Sequence, residues 1–355
     1  MNLDDLDYLH SIDKGNMLAF VDALPDQFQD AWKLSQTLPL PDTTISQIVI
    51  SGMGGSAIGG SLLAALVAST SPLPVQVVRG YELPAYVCGS GTLLVASSHS
   101  GNTEETLAAA DQARLRGVQM LAVTTGGQLK QHAETHGYPV WQFDYKSPPR
   151  AALGWSFGLL LGLAHRLKLA PTIEQDLQEG IALLREEKSH YSEVSPLSNN
   201  PAKRGAGQLM GRLPVIYGAG LFEPVAQRWK CQFNENAKVW SQYEVLPEAN
   251  HNTIVGIGFP EKMTVNMAAL FITSRQFDHP RVRVRQKLTY RMCLENAIMA
   301  DKFSPRGTSA LAQMLHTIQF GDYMSVYAAL GYGADPTEIA PINQIKELLL
   351  TEQAD

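Results

Sequence analysis

Several things are scarce in this chain of 355 residues, and each scarcity excludes a class of protein. Cysteine occurs three times, at Cys88, Cys231 and Cys293, with no CxxC pair and an odd count. That excludes a disulfide framework or a zinc ribbon, and predicts reduced thiols in a cytosolic protein. Positive charge is in deficit: 28 Lys and Arg stand against 34 Asp and Glu, a net charge of −6, which argues against general nucleic-acid binding. Long hydrophobic runs are absent. The most apolar stretch, residues 151–164, is too short to span a bilayer and ends in His165-Arg166, so it predicts a buried helix rather than a membrane segment. The opening MNLDDLDYLH is acidic and lacks the basic and apolar regions of a signal peptide. What is present is a globular composition, 45% apolar and 17% charged, in a chain comfortable for two domains.

The hydrophobic pattern alternates between two periods. A helical lead-in carries Met17, Leu18, Phe20 and Val21 on one face, and Pro25 opens a second helix through Trp32 and Leu34. Strands are predicted at 47–50, 75–78, 92–96, 118–123 and 140–143, with helices between most of them, among these 61–68 and 104–116. Strands alternating with helices imply a parallel, doubly wound sheet. After Pro148-Pro149 comes the apolar helix, then a polar helical stretch over 170–209 interrupted by Pro196 and Pro201. A second α/β pattern follows, with strands predicted at 213–217, 253–257 and 282–285 and helices at 222–234, 289–300, 309–330 and 341–351. The expected organisation is a first α/β domain with its lead-in over 1–169, a helical connector over 170–209 and a second α/β domain with a C-terminal helix over 210–355.

The chemistry concentrates in two loops of the first half. Residues 97–103, SSHSGNT, place four hydroxyls and a glycine where a strand becomes a helix. A single Ser or Thr would suffice as an N-cap, with Thr103 the obvious one. The surplus of donors, with the positive end of a helix dipole, predicts a phosphate cradle. No Lys follows a GxxxxG, so this is not a nucleotide P-loop. The other loop, GMGGSAIGG from Gly52, also fits the dinucleotide fingerprint through Gly52, Gly54 and Ala57. The next strand ends in Arg79-Gly80 without the acid an NAD site needs; an NADP site tolerates Arg79 and stays open as an alternative. Ligands gather at the carboxyl ends of parallel strands, which brings Ser56 toward Ser98, Ser100 and Thr103. Two hydroxyl-bearing turns on one crevice fit a single phosphate better than a dinucleotide.

GMGGSAIGG followed by SSHSGNTEET resembles the sugar-isomerase (SIS) domain. The whole chain, through MLAFVDALPDQFQDAW, KSPPRAALGWSFG, QFNENAKVWSQYEVLPEANHNTIVG, DHPRVRVR and DPTEIAPINQIKELL, resembles the bifunctional phosphoglucose/phosphomannose isomerase family. The resemblance implies two SIS-type, flavodoxin-like three-layer domains and isomerisation of glucose 6-phosphate or mannose 6-phosphate with fructose 6-phosphate. Such a reaction needs a proton shuttle for ring opening, a base at C2 and a cation beside the enediolate, and no metal or redox cofactor. The resemblance places the base at Glu235, ring opening at His251 with Lys346, and the cation at Arg150, with Gly54, Gly55, Ser56, Ser98, Ser100 and Thr103 holding the phosphate. It also implies a homodimer whose subunits share the site, His251 crossing from one to the other. A carboxylate at a helix end and a cation at a helix start are each the wrong sign for the dipole, which favours a functional reading of Glu235 and Arg150. Lys346 lies at the edge of the stripe formed by Ile342, Ile345 and Leu349, where it could equally be a snorkelling surface lysine. A non-catalytic sugar-phosphate-binding regulator would need the phosphate loops alone.

Overall fold

The lead-in predicted from the apolar spacing is present in the computed structural model, which describes residues 2–41, 44–349, 351 and 352. It consists of α1 (Leu6–Ile12), α2 (Met17–Asp22) and α3 (Leu24–Ser35). The carboxyl of Asp13 accepts the backbone N–H groups of Met17 and Leu18, satisfying two orphan donors at the start of α2. Strand β1 (Gln47–Ser51), helix α4 (Gly54–Val67), β2 (Val75–Val78), β3 (Thr92–Ser98), α5 (Glu104–Leu115), β4 (Gln119–Thr124), α6 (Gly127–His136) and β5 (Val140–Gln142) then build the first sheet. Its order is β2-β1-β3-β4-β5, all parallel, the flavodoxin-like arrangement with its switch point between β1 and β3. All seven residues of β3 are buried, so the strand reads as a continuous run instead of an alternation.

Helices α7 (Leu153–Arg166), α8 (Ile173–Tyr191) and α9 (Pro201–Leu209) lead to the second sheet. There β6 (Leu213–Gly218), α10 (Glu223–Glu235), β7 (Gln242–Val245), α11 (Glu261–Thr264), β8 (Met267–Ile272), α12 (Pro280–Glu295) and β9 (Met299–Phe303) give the parallel order β7-β6-β8-β9. The two sheets thus share one strand order, the second lacking the last strand. The chain closes with α13 (Ala310–Tyr332) and α14 (Ala340–Leu349). Every residue of α13 from Leu311 to Gly331 is buried, and one core cluster joins Phe28 and Phe157 of the first half to Trp229 and Tyr323 of the second. No helix among the described residues is long and apolar enough to cross a membrane.

Two predicted strands are wrong, and for different reasons. Residues 253–257 are β-branched, but Asn252 caps Thr253 and the segment turns as a 3-10 helix, Thr253–Gly256, with Val255 86% exposed. Residues 282–285, VRVR, alternate like a half-buried strand, yet Pro280 at the helix start and the capping side chain of His279 commit them to α12. The strands present instead are MAALFI in β8, QYEV in β7 and MADKF in β9, whose alanines and polar residues carry little β-propensity; burial in the sheet overrides it. Helix 289–300 is correspondingly displaced, ending at Glu295 before β9. Helix α4 starts at Gly54, not at residue 61, so that the GGSAIGG segment is helical despite its glycines. A Cβ at Gly55 would lie 2.9 Å from the carbonyl oxygen of Pro149, and one at Gly60 2.9 Å from Ile50. Residues 170–209, read as a connector, are packed: α8 and α9 both lie against α13.

Helices α3 and α7 pack closely against each other. Gly154, Gly158 and Gly162 of α7 face Gln27, Ala31 and Ser35 of α3, each glycine so close that an added Cβ would collide. Replacing Gly158 with Val should force the helices apart and destabilise the protein by about 2 kcal/mol or more, read as a lower urea midpoint at unchanged slope. A midpoint equal to the parent's would show that the pair tolerates separation.

Candidate active site

The fold brings the two hydroxyl-bearing loops together at the switch point of the first sheet. The Ser56 hydroxyl, in the first turn of α4, accepts from the backbone N–H of His99 at 3.3 Å. The Ser98 hydroxyl accepts from the N–H of Gly101 at 3.1 Å and pairs with Thr103 Oγ1 at 2.8 Å, while Ser100 Oγ accepts from Asn102 N at 3.2 Å. Gly101 has φ 70°, and a side chain there would strike the Gly126 carbonyl, so only glycine closes this turn. Thr103 occupies the cap position of α5, but its hydroxyl makes no cap hydrogen bond and turns to Ser98. The residue before α4, Met53, supplies no side-chain cap either. Two helix N-termini without side-chain caps therefore face one crevice, with Gly54, Gly55 and Ser100 at its surface and Ser56 and Ser98 buried beneath. His99 lies half-buried with its ring against Phe143, and burial pulls its pKa down, which favours the neutral imidazole.

A second group of residues meets beside that crevice. Arg150 sits in the turn Pro149–Ala151 ahead of α7, only 3% exposed. Its Nε donates to Asn236 Oδ1 at 2.7 Å, and its Nη2 to the carbonyls of Pro336 at 2.5 Å and Thr337 at 3.1 Å. Its Nη1 lies 3.5 Å from Glu235 Oε2 and makes no hydrogen bond among the described residues. Burial pushes the pKa of Arg150 down, and the charge of Glu235 opposes the shift. Glu235, the last residue of α10, keeps about a quarter of its side chain exposed (27%). The two border a cleft of about 210 Å³ between α4 and α10, whose walls include Gly54, Gly55, Arg79 and Cys231. The arrangement offers an anion cradle, a carboxylate able to take a proton and a fixed guanidinium with a donor to spare. Among the described residues no group of three or more His, Cys, Asp or Glu could hold a metal ion.

His251 and Lys346 are not brought to this cleft. His251 follows the turn Glu248–Asn250 at the surface, and Lys346 lies on α14, where no residue is buried. The sequence reading missed the groups that hold Arg150 in place. Arg228, buried on α10, donates through Nη2 to the Arg150 carbonyl at 3.1 Å and forms a two-pronged pair with Asp322 of α13, at 3.0 and 2.5 Å. Gln232 donates to the same carboxylate, and Asn236 donates to Ser325. Burial raises the pKa of Asp322, and Arg228 opposes the rise. Residues 228, 232 and 235 follow helical spacing on α10, a signal legible in the sequence as one polar face. Asp322 on α13, the partner of Arg228 and Gln232, lies 94 and 90 residues away and carried no signal. Lys238 adds bonds to the carbonyls of Glu235, Asn236 and Pro336.

The chain has relatives among known proteins. Residues 198–349 match the family model described as bacterial phospho-glucose isomerase C-terminal SIS domain, and residues 44–137 match that of the SIS domain. A bifunctional phosphoglucose/phosphomannose isomerase of Caldicellulosiruptor bescii is 39% identical over 92% of this chain and 96% of its own length. Another, from Aquifex aeolicus, is 32% identical over 86% of this chain and 91% of its own. Among solved structures, a hypothetical protein of Thermus thermophilus shares the fold at TM-score 0.74 and 13% identity, covering 97% of this chain and 94% of that one.

The Arg228–Asp322 pair is buried at 2% and 3% exposure, so removing one partner strands a charge. Arg228→Met should lower stability by about 3–5 kcal/mol, and adding Asp322→Leu should recover much of that loss. Urea unfolding of the parent, the single and the double variant measures both; a single variant as stable as the double would refute the pairing.

Proposed function

The chain belongs to the bifunctional phosphoglucose/phosphomannose isomerase family, and on that premise we propose that it interconverts glucose 6-phosphate, mannose 6-phosphate or both with fructose 6-phosphate. The substrate phosphate sits among Ser56, Ser98, Ser100 and Thr103 with the first turn of α4 at Gly54 and Gly55, where hydroxyls, backbone donors and two helix dipoles meet it. The sugar then extends into the cleft toward Glu235 and Arg150. Glu235 lifts the C2 proton and returns it at C1, and the charge that develops on oxygen in the enediol is met by Arg150. The observation that carries this reading is the buried Arg150, fixed by three hydrogen bonds with Nη1 left free beside the carboxylate. A regulator would bind phosphate without any need for that pair. An NADP site is disfavoured because Arg79, which it would use, donates to Ser61 Oγ at 2.7 Å.

His251 and Lys346 fit the same reaction as residues of a site that two copies of the chain complete in the cytoplasm. Both are exposed, and apolar surface accompanies them. Ile345 and Leu349 on α14 are 59% and 54% exposed, Leu288 and Met292 on α12 are 47% and 38%, and Phe259, beyond the His251 turn, is 82% exposed. Apolar stripes on two helices and a neighbouring loop are a surface that a second copy would cover. His251 from the partner would then serve ring opening, an exchange of a proton between a hydroxyl and the ring oxygen that suits an imidazole at neutral pH.

Two substitutions separate anchoring from chemistry. Ser100→Ala should raise KM more than it lowers kcat, because the anchor binds ground and transition states alike. Glu235→Gln should abolish exchange of the C2 proton with solvent and leave substrate affinity nearly intact. Near-parent turnover in Glu235→Gln would return that residue to a structural role.

Mixing tests the shared site. His251→Ala and Glu235→Gln should each be inactive on cyclic glucose 6-phosphate, yet a re-equilibrated equal mixture should regain about a quarter of parent activity, since half the dimers then hold one intact site. A mixture as inactive as its components would show that each chain builds its site alone.

A further inference from the structure

The second sheet repeats the strand order of the first, so β8 and the loop into α12 stand where β3 and the phosphate loop stand. The backbone of that loop is similar: the Ser274 hydroxyl accepts from the N–H groups of Gln276 and Phe277, as Ser98 does from Gly101. Its own donors, however, are already taken. The Asp278 carboxylate folds back and accepts the Ser274 N–H at 2.8 Å and the Gln286 amide at 3.0 Å. An anion is therefore shut out of the turn itself.

Beside this filled turn, at the carboxyl ends of β8 and β9, a pocket of about 230 Å³ opens, close in size to the cleft of the first half. It shares no residue with that cleft. Thr273 and Ser304 join their hydroxyls at 3.0 Å in its lining, and Arg275, Arg283, Lys287 and Lys302 line it with no acidic residue among them. None of these four cations forms an ion pair among the described residues, in a chain whose net charge is −6. Arg283 is braced by a bond from Nη1 to the Arg275 carbonyl at 3.1 Å, and its Nε is buried without a partner. Lys302 rests its ammonium 3.8 Å from the centre of the Tyr290 ring. Arg275, Lys287 and Lys302 are exposed and Arg283 is half-buried with the Asp278 carboxylate as its electrostatic neighbour, so the patch keeps a surplus of positive charge that attracts a doubly charged oxyanion.

We propose that this pocket is a second anion site, binding a small phosphate-bearing molecule through Arg283, Arg275, Lys287 and Lys302, with the Thr273–Ser304 hydroxyl pair supplying one further donor. A cavity close in volume to the cleft of the first half has room for a ligand of similar size. Carboxyl ends of parallel strands are where such ligands bind in open α/β sheets, and the second half has kept that property one step aside from the turn that Asp278 fills.

Calorimetric titration of the full chain with inorganic phosphate at constant ionic strength tests the assignment. The parent should show two phosphate sites per chain. Arg283→Gln should weaken one of them by about tenfold or more, the loss of one charge-assisted hydrogen bond, while kcat/KM for fructose 6-phosphate stays at the parent value. Lys287→Gln, at an exposed helix position, and Thr273→Val should weaken the same site, which keeps the test decisive if Arg283→Gln fails to fold. One site in the parent, or two sites untouched by the folded variants, would overturn the proposal. So would an equal heat from chloride, which would reduce the pocket to general screening. Variants that separate into monomers with phosphate affinity unchanged would make the patch a subunit contact and overturn it as well.

Discussion

A guanidinium buried at 3% exposure is the constraint on which the rest of this structure depends. Arg150 cannot be solvated by water, so its donors must be met by the protein, and the groups that meet them come from distant parts of the chain. Asn236 follows α10, and Pro336 and Thr337 lie between α13 and α14. Its own carbonyl is held by Arg228, which in turn is held by Asp322 on the central helix. Each link removes freedom from the next, and the chain of links ends with the Nη1 amino group of Arg150 unspent among the described residues, 3.5 Å from Glu235. In the proposed reaction such a framework would be preorganised: the guanidinium is fixed before a substrate arrives, so little reorganisation would be required when charge develops.

The packing of α13 follows from the same constraint. A helix buried on every side is ordinarily apolar throughout, yet α13 carries Gln313, His316, Asp322 and Ser325 in its buried face. These bond outward to neighbouring elements: His316 to the Tyr191 hydroxyl and Asp322 to α10. The helix therefore holds α8 and α10 through polar contacts as well as apolar ones, and packs against α9. Glycines serve the complementary purpose on α4 and α7, where close approach of Pro149 and of α3 leaves no room for a side chain.

The two α/β halves show how one topology acquires different chemistry. In the first, the loop after β3 is held by its own hydroxyls, and two helices begin there without side-chain caps. In the second, the equivalent loop is occupied by the Asp278 carboxylate, whose pKa burial raises against the bonds from Ser274 and Gln286. A buried carboxylate fills the turn of the second half and hydroxyls that of the first, which makes the halves chemically unequal although their strands follow the same order.

By itself the sequence determined the class of fold, the parallel sheet of the first half and the loop at 97–103, because these depend on short-range periodicity, turn residues and hydroxyl density. It also carried Glu235 and Arg150, as charges of the wrong sign for their helix ends and as positions in a familiar pattern. It misled at 253–257 and 282–285, where β-branched alternation lost to an Asn cap and to a Pro-initiated helix, and it passed over β8, whose alanines become a strand only because the sheet buries them. What only the tertiary structure decided is which charges meet. Arg150 and Asn236 are 86 residues apart and Arg228 and Asp322 are 94 apart, and no local pattern records such a pairing. Burial, which turns those pairings from optional to obligatory, exists only once the core has closed.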